Sequence, residues 1–261
     1  MSTWAVRTVR CTCGHTQEAQ LADGLHITRL PEVRARILEG TFHHVACRAC
    51  GRVSTAQTKT LYTDFDRYHW VAVAPPWFIG DWPAWSEALT REFDHNMRVA
   101  APPMIQALAD RFAVRLVFGY DALAEKLVAW DAGLDDGLVE VMKLRLRAAL
   151  PETPPPGFRM RLVGVDREGW TATLRLTAPR TDTLELVTSL DAYLLAERHA
   201  REAPEATLEV PFGGLDRLFA SSLAATTRPA DQMQVVAPMR PFDETVAYAR
   251  PGYRVGPEDV T

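Results

Sequence analysis

Lysine is nearly absent from this chain. Lys59, Lys126 and Lys143 are the whole complement, and arginine supplies the rest of the 29 cationic residues, set against 33 acidic ones. The formal net charge of −4 argues against a general electrostatic grip on nucleic acid, which needs a clustered basic face. No run of 18 apolar residues occurs, so no stretch reads as a membrane-spanning helix. The opening MSTWAVRTVR lacks the apolar core of a secretory signal, and the cytoplasm is the expected compartment. The phosphate-binding G-x-x-x-x-G-K-[ST], a G-x-G-x-x-G after a strand, H-E-x-x-H and G-x-S-x-G are all missing. Ser221 and Ser222 have no histidine close by in sequence to activate them. Cysteine is sparse, with 4 in 261 residues, too few for a small secreted scaffold held by disulfides.

What is there is the arrangement of those cysteines. Cys11 and Cys13 sit in RCTCGHT, Cys47 and Cys50 in ACRACGR, and each pair is followed at once by glycine, Gly14 and Gly51. Two short pairs on separate turns can converge on one tetrahedral ion with metal–sulfur distances of ~2.3 Å. A glycine just past each turn tolerates positive φ and lets the backbone approach the sulfurs. The spacing predicts the two knuckles of a zinc ribbon, with Zn2+ held by Cys11, Cys13, Cys47 and Cys50. Cys11-Thr12-Cys13 is one residue shorter than Cys-x-x-Cys and needs a tighter turn. If that turn fails to present both sulfurs, His15, His43 or His44 is the substitute ligand. Two disulfides, a redox-active pair and four free thiols are the competing readings. The flanks lack the βαβ context a redox pair needs.

The remaining elements follow from periodicity. Residues 4–10 alternate as a strand leading into the first knuckle, and 17–22 return as its partner. Pro31 and Gly40 bracket a short helix with Val33 and Ile37 on one face. Residues 41–46 form a strand delivering the second knuckle. A hairpin then runs over 53–62 and 68–74 around Thr63-Asp64-Phe65-Asp66. Helices are expected over 82–96 and 102–111, a strand over 114–118, a helix over 122–130 capped by Asp121, and a helix over 137–150. Asp135 and Asp136 suit the positive end of that last helix. Leu134, Leu138, Val141 and Met142 make its apolar stripe. Glu125, Lys126, Glu140 and Lys143 read as solvated helix charges, with a buried ion pair between the two helices as the alternative.

The run from Val9 to Pro76 resembles the CpXC family: Cys-x-Cys-Gly at Cys11, the helix Pro31–Gly40, Cys47-x-x-Cys50-Gly51, and Leu61-Tyr62-Thr63-Asp64. The likeness continues to about residue 150 through Val114–Val117, Leu123–Lys126 and Gly133–Asp136 to Glu140 and Lys143. Neither pair carries the proline of the family's Cys-Pro-x-Cys motif. The resemblance implies a zinc-binding domain of prokaryotes and specifies no activity.

Pro151 to Pro156 marks a boundary, so the expected organisation is a ribbon-like domain with a helical extension over 1–150, a linker over 151–157, a small α+β domain over 158–224 and an extended or disordered tail over 225–261. Strict alternation over 158–166 and 170–177 predicts a hairpin. A third strand over 183–187, a helix over 190–202, a strand over 207–210 and a helix over 215–223 complete the domain. Val235, Val236, Phe242, Tyr248 and Tyr253 are anchors for the tail along its own surface or a neighbour. The fold class is α+β: a zinc-ribbon-like β domain with inserted helices, then the small α+β domain and the tail. Four thiolates leave no open coordination position for a reaction, so a non-enzymatic protein-interaction role is expected. Trp77, Trp82 and Trp85, with Phe242, Tyr248 and Tyr253, are the candidate contact residues, the tryptophans having a place in the core as the alternative; other proteins or further copies of the chain are the candidate partners. Arg10, Arg48 and Arg52 around the knuckles carry the alternative of nucleic-acid binding. A zinc enzyme, with Glu18 or His15 near an under-coordinated ion, is the third reading.

Overall fold

A computed structural model describes residues 2–150, 152–179, 181–202 and 232–236. Its eleven strands are β1 (Thr3–Arg10), β2 (Thr16–His26), β3 (His44–Ala46), β4 (Val53–Gln57), β5 (Thr60–Asp64), β6 (His69–Ala74), β7 (Ala113–Phe118), β8 (Arg159–Asp166), β9 (Thr171–Thr177), β10 (Leu184–Ser189) and β11 (Gln232–Val235). The helices are α1 (Pro31–Leu38), α2 (Trp82–Phe93), α3 (Pro103–Gln106), α4 (Tyr120–Asp131), α5 (Asp136–Ala148) and α6 (Asp191–Glu202). Eight strands form one mixed sheet in the order β3-β4-β11-β1-β2-β5-β6-β7, and β10-β9-β8 form a second. The fold is α+β, as expected from the sequence. No described helix is long and apolar enough to cross a membrane.

The β5–β6–β7 end of the large sheet is covered on both faces, which explains why every residue of β5 and β6 is buried. Tyr62, Val71, Val73 and Val117 point to the face covered by α1 and α4, against Val33, Ile37, Leu123 and Leu127. Leu61, Trp70, Ala72 and Leu116 alternate to the other face, against Trp85, Leu89 and Phe93 of α2 and Met97. The predicted hairpin over 53–74 is instead three strands. The chain leaves β4 after Gln57 and enters β5 at Thr60; β4 pairs with β3 and β11, while β5 pairs with β2 and β6. At the β5–β6 turn the fully buried Asp64 accepts the N–H groups of Asp66 and Arg67, both at 3.1 Å. The helix expected over 82–96 passes into a π-helical turn at Asp94–Val99. The one expected over 102–111 is a single turn followed by a 3-10 turn at Ala109–Arg111.

Asp135 caps α5 by accepting the N–H of Leu138 at 2.9 Å. Gly119, with φ 91, stands at the cap position of α4; Asp121 lies inside the first turn and pairs with Arg161 at 2.5 Å. The buried stripe of α5 consists of Val139, Glu140, Met142 and Lys143, so the reading of Glu125, Lys126, Glu140 and Lys143 as solvated charges is overturned. Lys143 Nζ contacts Glu125 and Glu140 at 2.8 Å each. Lys126 Nζ contacts Asp136 at 3.2 Å and Glu140 at 3.3 Å. Arg115 holds Asp136 through Nε and Nη2 at 2.9 and 3.0 Å. Three cations balance three anions, which is what lets them lie where a lone charge could not. Asp136 is therefore a buried ion-pair partner as well as a first-turn acid.

The hairpin β8–β9 and the third strand β10 form as predicted, with a bulge between Leu162 and Gly164. Their inner face, Met160, Leu162, Ala172 and Leu174, shares a core with Ala129, Val139 and Met142 of α4 and α5. Glu125 accepts the Leu162 N–H at 2.7 Å, joining the charge cluster to this second sheet. The strand expected at 207–210 and the helix at 215–223 lie outside the described residues, as do Phe242, Tyr248 and Tyr253.

Candidate metal centre

Each cysteine pair sits at the tip of a hairpin. β1 and β2 pair from Trp4–Ala22 to Arg10–Thr16, so their connection carries Cys11 and Cys13. β3 and β4 pair through His44–Thr55, Val45–Ser54 and Ala46–Val53, so theirs carries Cys47 and Cys50. The two turns close in the same way despite their different lengths. Gly14 N–H donates to Cys11 O at 2.9 Å, and Gly51 N–H to Cys47 O at 2.8 Å. Cys11 N–H donates to His15 O at 2.8 Å, and Cys47 N–H to Arg52 O at 2.9 Å. Both glycines hold positive φ, 91° at Gly14 and 71° at Gly51, the conformation expected from their place after each pair. The short Cys-x-Cys turn thus reproduces the longer one with one residue fewer.

The four Sγ atoms lie within 4.8 Å of one another. Cys11 and Cys50 are 3.8 Å apart and Cys13 and Cys47 3.7 Å. Sulfurs ~2.3 Å from one ion at tetrahedral angles are about 3.8 Å apart, and disulfide sulfurs are ~2.0 Å apart. All four thiols are free, with Cys11 and Cys47 buried and Cys13 and Cys50 on the solvent side. This group can hold a metal ion. The thiols also influence one another's protonation. The backbone N–H of Cys13 draws Cys11 down. Cys13 is pushed up by the neighbouring sulfurs and burial, against the pull of the His15 backbone.

The histidines stand apart from this group. His15 is half-buried and His44 exposed, and neither joins the clustered ligand atoms. His43 is buried with φ 56. Its Nε2 accepts the Ala22 N–H at 2.9 Å, which leaves the proton on Nδ1 to donate to Tyr120 Oη at 2.9 Å. Tyr120 donates on to Thr60 Oγ1 at 2.8 Å, and Thr60 to Ala22 O at 2.9 Å. Burial lowers the His43 pKa to about 3, so the ring is neutral. His43 is a structural tie between β2, β5 and α4.

Two side-chain ties across the knuckles were not legible in the sequence. Gln17 of β2 donates to Ala46 O at 2.9 Å and accepts from Arg48 N–H at 2.8 Å, straddling the second knuckle. Arg52 Nη1 donates to Thr12 Oγ1 at 2.6 Å. Of the tryptophans expected as contact residues, Trp85 is core at 1% exposure; Trp77, in the 3-10 turn Pro76–Asp81, and Trp82, the first residue of α2, are half-buried. Trp85 is therefore removed from any contact surface, since the sheet face it packs on already covers it.

Two hairpin tips bring four thiols to one point, a cysteine cluster that could hold a metal ion. The chain belongs to the CpXC family, whose model matches residues 9–143 under the description CpXC protein. That span takes in both cysteine pairs, strands β2 to β7 of the large sheet and the charge cluster up to Lys143. No curated protein and no solved structure matches the chain.

Proposed function

We propose that the four cysteines hold one zinc ion as a structural centre, and that the ion rigidifies a non-enzymatic module for binding other proteins. The observation that carries the reading is the sulfur spacing of 3.7 and 3.8 Å, which fits the edge of a ZnS4 tetrahedron. Four thiolates saturate zinc, and a saturated ion has no position for water or substrate. The turns are also too small to be held by apolar burial. Cys13 and Cys50 are exposed, so the solvent side of each turn has only the ion and the Gln17 and Arg52 ties to fix it. The all-sulfur donor set suits zinc or iron, and four sulfurs all within 4.8 Å of one another fit a single ion better than a multi-iron cluster.

Native mass spectrometry and elemental analysis of the purified chain test this. One zinc per chain is expected, with loss of the ion in Cys47→Ser and Cys13→Ser. Bound iron would overturn the zinc assignment. Zinc-dependent turnover on a panel of esters, amides and phosphoesters that Cys13→Ser abolishes would overturn the non-enzymatic reading.

A further inference from the structure

In the sheet, β4 never meets β1. The strand between them is β11, which comes from the far end of the chain, runs parallel to β4 and antiparallel to β1, and separates the two cysteine hairpins. Gln232, Met233 and Gln234 pair with Thr55, Ala56 and Gln57. Val235 and Gln234 pair with Val9 and Arg10, and Val236 N–H donates to Thr8 O at 2.9 Å. Met233 and Val235 are buried at 1% and 8% exposure, in one cluster with Val9, Leu21, Ala56, Cys11 and Cys47.

Without that strand the two hairpins would face each other across two unpaired edges. Neighbouring strands sit about 4.8 Å apart, so edges one strand removed are ~9–10 Å apart. That gap is too wide for direct pairing and admits one extended chain. Its floor is apolar, and its walls are backbone N–H and C=O groups that accept any sequence. Selectivity then comes from the positions that point at the floor, two residues apart. The occupant is only four residues long and buries two side chains, so little anchors it compared with the fully buried β5 and β6.

We infer that the slot between the two cysteine hairpins is an acceptor groove for an extended peptide with apolar residues at alternate positions, and that residues 232–236 of this chain are its resident, displaceable ligand. The groove deepens the interaction-module reading. It rests on that reading only in that the metal-bound tips fix the width of its open end. The resident strand runs parallel to β4 and antiparallel to β1, and a reversed strand would exchange the two bonding patterns between the walls.

The test uses the full chain carrying M233D/V235D, which places carboxylates against the apolar floor and ejects the strand. A fluorescein-labelled peptide spanning residues 229–238 is titrated in and followed by anisotropy. Saturable binding to the variant at least tenfold tighter than to the unmodified chain is expected, because the unmodified slot is filled. A peptide bearing the same two aspartates is expected to lose at least tenfold. Equal binding to both chains, or equal binding of both peptides, overturns the inference. Hydrogen exchange on the unmodified chain decides the matter even if the variant fails to fold. The Val236 amide is expected to exchange at least tenfold faster than the β5 and β6 amides, through local opening. Exchange of that amide only by global unfolding overturns displaceability. A concentration-dependent dimer that M233D/V235D renders monomeric would assign the strand to a second copy and overturn the assignment to the same chain. Metal content is measured on the same samples. Peptide binding by a metal-free chain would refute the zinc reading while upholding the groove.

Discussion

Replacing Glu140 with leucine should be among the most damaging single changes in the chain. The carboxylate is buried at 1% exposure and faces two ammonium groups, Lys143 at 2.8 Å and Lys126 at 3.3 Å, each 2% exposed. Removing it turns a balanced set of Arg115, Lys126, Lys143, Glu125, Asp136 and Glu140 into one carrying an extra positive charge. Breaking a buried pair by deleting one partner costs ~3–5 kcal/mol, a large fraction of the ~5–15 kcal/mol that a domain has in total. The compensating change is read from the contacts. Deleting Lys126 together with Glu140 leaves two complete pairs, Arg115 with Asp136 and Lys143 with Glu125. The double variant K126M/E140L is therefore expected within about 1–2 kcal/mol of the parent, since apolar replacement of a whole buried pair is often near neutral. Urea unfolding of the parent, E140L, K126M and the double variant, analysed as a double-mutant cycle, makes the measurement. A cost below ~1 kcal/mol for E140L, or a double variant as unstable as the sum of the singles, would refute the account of the cluster as a balanced buried charge set.

Stability should fall as pH drops below about 6.5. His43 is neutral when folded, since burial lowers its pKa to about 3 from an ordinary 6.5, so the unfolded chain takes up a proton that the folded one refuses. The slope from this group is at most ~1.4 kcal/mol per pH unit, and His43→Gln should reduce it; an unchanged slope in denaturant melts from pH 7 to 4 would count against the assignment. Asp136 and Glu140 add to the loss at lower pH. Opposing cations hold both carboxylates below their ordinary values of 3.8 and 4.5 despite burial, so their stabilisation is full above those values and disappears as pH falls below them. Gly119→Ala should cost ~1–3 kcal/mol, because φ is 91° and the added Cβ would lie 3.0 Å from Pro76 Cγ; a thermal melt within 1 °C of the parent would contradict this. Chelation should raise the hydrogen exchange of the β3–β4 hairpin ahead of β5 and β6, and uniform acceleration across the sheet would show that the ion site and the core open as one unit.

Local chemistry made the cysteine site readable in advance. A cysteine pair closed by glycine specifies its own turn, and Gly14 and Gly51 hold the positive φ that their positions call for. Strands β1, β8 and β9 and helix α1 were legible for a similar reason, since alternation or a Pro–Gly bracket is a property of consecutive residues. The misreadings share one physical origin. β4 and β5 look like one strand because β-propensity does not register that the chain changes neighbours at Thr58 and Lys59. Glu125, Lys126, Glu140 and Lys143 look solvated because each is charged, and their burial depends on opposite charges arriving from the facing helix. Trp85 looks like a sticky surface residue until α2 is laid on the sheet.

The order of residues along the chain determined that four thiols would stand on two tight turns, and that helices and short strands would surround them. Whether those turns meet, which histidine is excluded, and what lies between the hairpins were decided by tertiary structure. Convergence of the thiols, neutrality of the buried charges and the insertion of β11 between β4 and β1 each join residues far apart in sequence, and such pairings acquire an energy only once the chain has folded back on itself.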